Sequence, residues 1–442
     1  MKIVQAAGWY LPDTIGGTEV YVAALAREFR TNGHEVLIAA PQAGLTTPRT
    51  YQHDGCEVFR YPVPDSPTRD EAQGSVAVRG AEHFHGWLAA ARPDVVHIHT
   101  FVTGLGLPEI HAARDAGSHV VVTTHASSLG FLCQRGTLMW QGETLCDGIV
   151  EAARCAECVL QHRGAPSIAG AAFASLPAAV SRVAAALPGK VGTALGMTDL
   201  IARNMERQRA MFESIDAFIV LTERAAEIVR ANGAPADKVI VNRLGVRNTF
   251  SRNGSPSRTS SRDAVSVGYV GRFEDVKGVV DLALAMRRVP ADVPLRLEFR
   301  GPVQTPSDRD TRNMIVEMLA SDPRVTVSEA GAHADMASLL RTYDVVCCPS
   351  RCLEGGPTVG LEAMALGVPV IAASVGGIAE VVRDGVNARL VAPGNVEALA
   401  AALIEIGRSP LQTICQWKSR LPTPRTVQAV AHDYLRLYGR RD

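Results

Sequence analysis

Two glutamates stand close together in the stretch SRCLEGGPTVGLEAMALGVPVIAAS, from Ser350 to Ser374: Glu354 and Glu362, with a glycine pair and a proline between them. Carboxylates at two depths of one loop–helix segment can each accept hydrogen bonds from a polyol, one holding a sugar and the other a ribose. The helix entrance between them, with the backbone amides around Gly356, Pro357 and Thr358, suits a phosphate or a sugar hydroxyl. Earlier in the chain, GYVGRFEDVKGVV places Arg272 at the end of a strand and Lys277 at the start of the next helix. Two cations at one turn, beside the positive end of a helix, form an anion site suited to a diphosphate. Each feature also has a plainer reading: Arg272 and Lys277 solvated on a loop, Glu354 at a helix entrance, and Glu362 in a surface ion pair.

Such chemistry needs rigid elements beneath it. Short β-branched runs alternate with longer helical patterns from end to end, as in βαβ units and parallel sheets. In the first half, strands are expected at KIVQAAG (Lys2 to Gly8), HEVLIAAP (His34 to Pro41), CEVFRYP (Cys56 to Pro62), DVVHIHT (Asp94 to Thr100), HVVVTTHA (His119 to Ala126) and AFIVLT (Ala217 to Thr222). In the second half they are expected at VSVGYVG, LRLEFRG, VTVSEAG, DVVCCPS, VPVIAA and ARLVAP. Between the halves, RNTFSRNGSPSRTSSRD is poor in large apolar residues and adds little core. The expected fold class is therefore α/β, with two doubly wound, Rossmann-like domains over residues 1–245 and 246–422 facing a central cleft. The tail, 423–442, puts Val427, Val430, Tyr434, Leu435 and Tyr438 on one helical face, which should pack back on the first domain. Ligands of doubly wound sheets bind beyond the carboxyl ends of the strands. Arg272 and Glu354 both follow expected strands, Pro357 suits the first turn of the next helix, and Gly367 suits its end.

Length and composition are compatible with this plan. At 442 residues the chain exceeds one ordinary core, so two domains of about 200 residues each are expected. Lys+Arg and Asp+Glu both number 45, so no net field draws the whole chain to nucleic acid or to an anionic membrane. The N-terminus MKIVQAAGWY has neither the apolar core nor the cleavage site of a signal peptide, and no run approaches about 18 apolar residues. A cytoplasmic location is expected, with membrane association left open. Nine cysteines, an odd number, do not suit a fully paired secreted framework.

The residues GRFEDVKG, together with EGGPTVGLEAMALGVPVIAASVGGIAEVV, resemble the donor domain of the retaining glycosyltransferases of family four, the relatives of sucrose synthase and bacterial mannosyltransferases with the GT-B fold. The resemblance continues through GGTEVYVAALAREFRTNGHEV and DVVHIHT, so it covers most of the chain. It implies transfer of a sugar from a nucleotide diphosphate sugar to an acceptor hydroxyl, with retention at the anomeric carbon and no cofactor for catalysis. By position, Arg272 and Lys277 would neutralise the diphosphate leaving group, Glu354 would contact the donor sugar near its reacting carbon, and Glu362 would bind the ribose hydroxyls. Gly16 and Gly17 would approach the donor phosphates, His125 would hydrogen-bond the donor sugar, and the loop around Gly331 and His333 would lie near the base. The acceptor would be a saccharide, a lipid-linked intermediate or a small molecule, in polysaccharide, glycolipid or other glycoconjugate synthesis, with peripheral membrane contact as an option.

Two rivals share part of this machinery: a nucleotide-sugar epimerase, which needs no acceptor, and a non-catalytic nucleotide-sugar-binding subunit of a polysaccharide assembly. Two departures from the family pattern stand out. VNRLGVRNTF puts Arg247 where an acidic residue is common, and GGPT follows Glu354 where an aromatic is frequent, which bears on the choice of sugar.

A cysteine-containing insertion is expected at about 127–200. Cys155 and Cys158 form a C-x-x-C pair, with Cys133 and Cys146 upstream. Four thiolates can hold a tetrahedral structural zinc; an iron–sulfur cluster is the softer alternative and uncoordinated thiols the plain one. A structural metal is the expectation, because so polar an insertion has little core of its own. The following run, broken by Pro166, Pro177 and Pro188, reads as short helices, either an acceptor-side lid able to touch lipid or helical filler. His97 and His99 share one face of a strand and are expected to be hydrogen-bonded rather than metal-bound. The D-x-D at Asp308 and Asp310 is expected to be ordinary loop carboxylates, and Cys347, Cys348 and Cys352 are assigned no chemistry.

Overall fold

The computed structural model describes residues 1–13, 16–125, 127–187, 189–250, 264–329 and 335–439. The chain divides into two compact units: Met1–Arg243 with the segment from Gln428 onward, and Leu244–Val427.

The first unit contains β1 (Lys2–Ala6), β2 (Glu35–Ala43), β3 (Arg49–His53), β4 (Cys56–Val63), β5 (Val95–Ile98), β6 (His119–Thr123), β7 (Met139–Trp140), β8 (Thr144–Leu145), β9 (Ala217–Val220) and β10 (Val239–Val241). Eight of these form one sheet in the order β10-β9-β6-β5-β1-β2-β4-β3. Pairing is parallel from β10 to β4, and only β3 runs antiparallel to its neighbour. Every residue of β5 and β9 is buried, so β9 reads as a continuous apolar run and β5 as one interrupted only by His97. The β3–β4 hairpin was not among the expected strands. Its signal was present in Asp54-Gly55, both of which adopt positive φ, as a two-residue type I′ connection requires.

The second unit contains β11 (Val265–Val270), β12 (Leu295–Gly301), β13 (Val325–Glu329), β14 (Val345–Cys348), β15 (Val370–Ala373) and β16 (Arg389–Val391). All are parallel, in the order β13-β12-β11-β14-β15-β16, the winding of a Rossmann sheet. Its main core joins Val267, Tyr269, Leu297 and Phe299 to helix residues such as Met286, Leu403 and Trp417.

Three expectations need adjustment. The unit boundary falls before Leu244, because Val246 is held within the second unit: its N–H donates to the Arg425 carbonyl at 2.8 Å and its carbonyl accepts from the Val427 N–H at 3.0 Å. Residues 251–263 of the anticipated linker lie outside the described residues. In the C-terminal helix Val427–Tyr438, the side chains of Val430, Tyr434 and Tyr438 are fully buried and Tyr438 packs 5.6 Å from Phe29, but Leu435 stays partly exposed because it sits at the edge of that face. The cysteine-containing insertion does have a core: Ala156, Val159, Leu160, Ala174, Met197, Leu200 and Ile201 bury one another between its helices. The short helices Ser167–Ala174, Ala178–Ala184 and Gly189–Leu195 leave Ile168, Val183 and Val191 exposed by 88%, 77% and 60%. Among the described residues no helix is long and apolar enough to cross a membrane.

Candidate functional site

Each sheet has one topological switch point, where the winding reverses: between β1 and β5 in the first unit, and between β11 and β14 in the second. The candidate residues gather at these points.

In the second unit the chain leaves β11 through Arg272 and enters a single 3-10 turn, Asp275–Lys277, before the helix Val279–Met286. Lys277 therefore closes a turn rather than opening the helix. The cause is Gly278, which takes φ +69° and sits so close to the end of β14 that a Cβ there would meet the Pro349 carbonyl oxygen at 1.9 Å. This approach brings the Lys277 ammonium onto Glu354, in the loop after β14, where it donates a charge-assisted hydrogen bond to Oε1. Burial opposes the charge on Lys277, but the Glu354 carboxylate more than offsets it, so the lysine pKa lies above its ordinary value.

The Glu354 loop has a support that the residue pattern did not reveal. Its carbonyl accepts the Gly377 N–H at 3.0 Å, and a Cβ on Gly376, at φ +72°, would meet that same carbonyl oxygen at 2.4 Å. The glycine pair after VPVIAAS was the available signal.

Arg272 Nη2 lies 2.8 Å from Glu274 Oε1 and 3.7 Å from Asp308 Oδ2, while its Nε is buried with no hydrogen-bond partner. Asp308 is not a loose loop carboxylate. It belongs to the capping box of the helix Pro306–Leu319, with Oδ2 accepting the N–H groups of Gln304 and Thr305 at 3.0 Å. Asp310 is exposed.

Pro357 occupies the N-cap of the helix Thr358–Ala365, one position ahead of the expected first turn, and makes no side-chain cap. Glu362 lies further into this helix, only 13% exposed, with Arg247 at 3.8 Å. Burial pushes its carboxyl up to about 7, against the pull of Arg247. The arginine that replaces the family's acidic residue thus faces one of the two glutamates, and its guanidinium also lies 5.2 Å over the Phe250 ring. Gly331 and His333 lie outside the described residues. Gly356 and Thr358 flank the N-cap as anticipated.

In the first unit, Gly16 is the extended N-cap of the helix Gly17–Thr31, which has no side-chain cap of its own. Across the switch point, His125 follows β6 and is joined to a buried hydrogen-bonded chain. His125 Nε2 is 3.1 Å from His99 Nδ1, and His99 Nε2 is 2.7 Å from Gln5 Oε1. The Gln5 oxygen can only accept, so His99 carries its proton on Nε2 and accepts from His125 Nε2–H. His97 is held separately, 2.6 Å from the Tyr438 hydroxyl and 2.7 Å from Thr123 Oγ1. Burial pushes His125 down to about 4, and burial with neighbouring imidazoles pushes His99 well below its usual range, so both rings are neutral at neutral pH.

One feature of the first unit escaped the residue pattern altogether. Beyond the carboxyl ends of β4, β5 and β6 lies a cavity of about 270 Å³ lined by Gln73, Phe101, Phe131, Gln134, Asn204 and Arg207. Arg207 is 6% exposed, donates to the Gln73 carbonyl and lies 5.2 Å over the Phe131 ring. Burial, with Arg203 nearby, pushes its pKa down to about 10. Cys133, Cys146, Cys155 and Cys158 line a second, smaller cavity beside it.

Two doubly wound units, each with polar side chains gathered at its switch point, define an α/β protein of GT-B type. Residues 16–245 match the family Glycosyl transferase 4-like domain, residues 255–417 match Glycosyl transferases group 1, and the chain belongs to this glycosyltransferase family. The fold is shared with sucrose-phosphate synthase from Thermosynechococcus elongatus, at a TM-score of 0.69 and 19% identity over 99% of this chain and 98% of that one. It is shared as well with Anabaena Alr3699/HepE, solved with UDP and glucose, at 0.65 and 14% identity over 100% of both chains. In sequence, the D-inositol 3-phosphate glycosyltransferase of Mycobacterium tuberculosis is 29% identical over 206 residues. That match spans 44% of this chain and 42% of the relative, less than half of either.

Proposed function

We propose that this chain transfers a hexose from a nucleotide diphosphate sugar to an acceptor hydroxyl, with retention at the anomeric carbon. The observation that carries the reading is the Lys277–Glu354 pair at the β11/β14 switch point, with Arg272 at the same strand end and Glu362 buried in the following helix. As the bond from the anomeric carbon to the leaving phosphate oxygen breaks, negative charge grows on the diphosphate, and fixed cations act where that charge develops. An arriving diphosphate would replace Glu354 and Glu274 as partners of Lys277 and Arg272, leaving the Glu354 carboxylate available to the donor sugar. Glu362 would accept from the ribose hydroxyls. His125, kept neutral by burial, would hydrogen-bond the sugar without repelling its developing positive charge. The acceptor oxygen bonds to the anomeric carbon on the face the phosphate leaves, and its proton passes to the departing phosphate oxygen, so no separate nucleophile is required.

The cavity lined by Arg207 and Phe131 supports a polar acceptor beside the first sheet's switch point. HepE was solved with UDP-glucose, which makes UDP-sugars the first donors to test. The exposed Ile168, Val183 and Val191 support a second reading of the acceptor, as a lipid-linked one met at a membrane surface. The test is nucleotide diphosphate release from UDP-, GDP- and ADP-sugars with oligosaccharide and lipid-linked acceptors, with the product's anomeric configuration read by NMR. Epimerised donor without any acceptor requirement would establish the epimerase instead, and binding without turnover would establish the non-catalytic subunit.

A further inference from the structure

The four cysteines of the insertion come from separate pieces of chain. Cys133 lies in the loop after β6, Cys146 follows β8, and Cys155 and Cys158 share a face of the helix Ala152–His162 at i, i+3 spacing. All four line one cavity of about 40 Å³, and none is in a disulfide. A space of that size holds a single ion or water.

Two of the four sulfurs accept backbone N–H groups. The Gly148 N–H donates to Cys146 Sγ at 3.4 Å, and the Gln141 N–H donates to Cys158 Sγ at 3.1 Å. Hydrogen bonds of this kind to ligand sulfurs are part of the outer shell of thiolate–metal sites. Gln141 makes its contact from a left-handed backbone at φ +52°, a conformation unfavourable for a residue with a side chain. Two arginines line the same cavity. Arg154 pairs with Asp147, the neighbour of Cys146, at 2.7 Å. Arg135 has its Nε and Nη1 buried with no hydrogen-bond partner. Guanidinium N–H groups left buried without an acceptor are unfavourable, whereas a zinc ion held by four thiolates carries two net negative charges and would supply an anionic partner.

We propose that Cys133, Cys146, Cys155 and Cys158 bind one structural zinc ion, with Arg135 and Arg154 as its counter-charges. Among the described residues no three His, Cys, Asp or Glu side chains stand ready-arranged around a metal, so binding requires the four side chains to turn from the cavity wall to its centre. Each thiol loses its proton to solvent as its Zn–S bond forms. The ion ties the β7–β8 ribbon and the preceding loop to the helix Ala152–His162. Cys133 also lines the 270 Å³ cavity, so the metal steadies one wall of that space.

The test is a metal count on the full chain, produced with zinc in the medium and purified without an immobilised metal. We expect about one zinc per chain after gel filtration, released to a chromogenic indicator as a mercurial titrates the four ligand thiols beyond the exposed Cys415. A chain produced with Co²⁺ should show the ligand-field and thiolate-to-metal charge-transfer bands of a tetrahedral site. Cys146→Ser should lose the zinc, Cys146→His should keep it because imidazole can replace a thiolate, and Cys415→Ser, at an exposed thiol elsewhere, should leave the count unchanged. Since a ligand variant can fail to fold, the wild-type count is decisive. A folded wild-type chain without zinc, with stoichiometric iron and a visible iron–sulfur spectrum, or with a disulfide among the four cysteines overturns the proposal.

Discussion

Replacing Glu362 with glutamine should separate two consequences of burying its carboxyl group. Burial and the opposing pull of Arg247 at 3.8 Å put the carboxyl at about 7, against an ordinary value of 4.5. Between those two values the folded chain keeps a proton that the unfolded chain has lost. Stability therefore falls as pH rises from 4.5 through 7, and levels off above. The full gap corresponds to about 3 kcal/mol. Glu362→Gln cannot ionise, so it should match the wild type near pH 5 and exceed it by up to about 3 kcal/mol near pH 8. UDP binding should move in the opposite direction. A carboxylate accepts from ribose hydroxyls more strongly than an amide does, so wild-type affinity should rise by up to about tenfold per pH unit below 7, with release of a proton. The variant should bind more weakly and without that pH dependence. Urea unfolding followed by tryptophan fluorescence, to which the buried Trp417 of the second unit contributes, reads the stability. Calorimetry in buffers of different ionisation enthalpy counts the proton. Parallel stability curves for the two proteins, or tighter UDP binding by the variant at high pH, would refute the reasoning.

Lys277→Met should slow sugar transfer by about 10² to 10³ and lower stability, because it leaves the buried Glu354 carboxylate unpaired. The double variant Lys277→Met/Glu354→Gln should regain stability but not rate, and a double variant as unstable as the single one would remove the pair from the account. His99→Phe should reduce kcat by about tenfold with KM little changed, since the lost hydrogen bond to His125 corresponds to about 1.5 kcal/mol; an unaltered kcat would reduce His99 to a packing role. Gly376→Ala should destabilise the second unit by about 1–3 kcal/mol and weaken UDP binding, through its clash with the Glu354 carbonyl. Gly367→Ala, also at positive φ but facing open space, should leave UDP affinity unchanged, and equal effects of the two substitutions on affinity would exclude the proposed support of the Glu354 loop.

Much of the fold was legible in local pattern. The central parallel strands appear as short, mainly apolar runs because burial on both faces favours apolar side chains, and the strand ends carry Arg272 and Glu354 in positions that their neighbours in sequence already imply. The β3–β4 hairpin was equally legible in Asp54-Gly55, a pair suited to a turn with both residues at positive φ. The C-terminal helix announced its buried face by the spacing of Val430, Tyr434 and Tyr438.

Partnerships between distant residues were not legible. Nothing local to Lys277 names Glu354 as its partner, nothing local to Arg247 points to Glu362, and nothing local to His125 shows that His99 and Gln5 set its proton. The 270 Å³ cavity likewise takes its lining from segments around Gln73, Phe101, Phe131 and Arg207, which only the sheet order brings together. Residue type and spacing determined which elements form and what chemistry their ends can carry, because turns, strand faces and helix entrances depend on neighbours a few positions away. Tertiary structure decided which charges meet, which carboxyl is buried enough to hold its proton to about pH 7, and which imidazole nitrogen bears a hydrogen, because each depends on atoms that only the packed chain brings within a few ångströms.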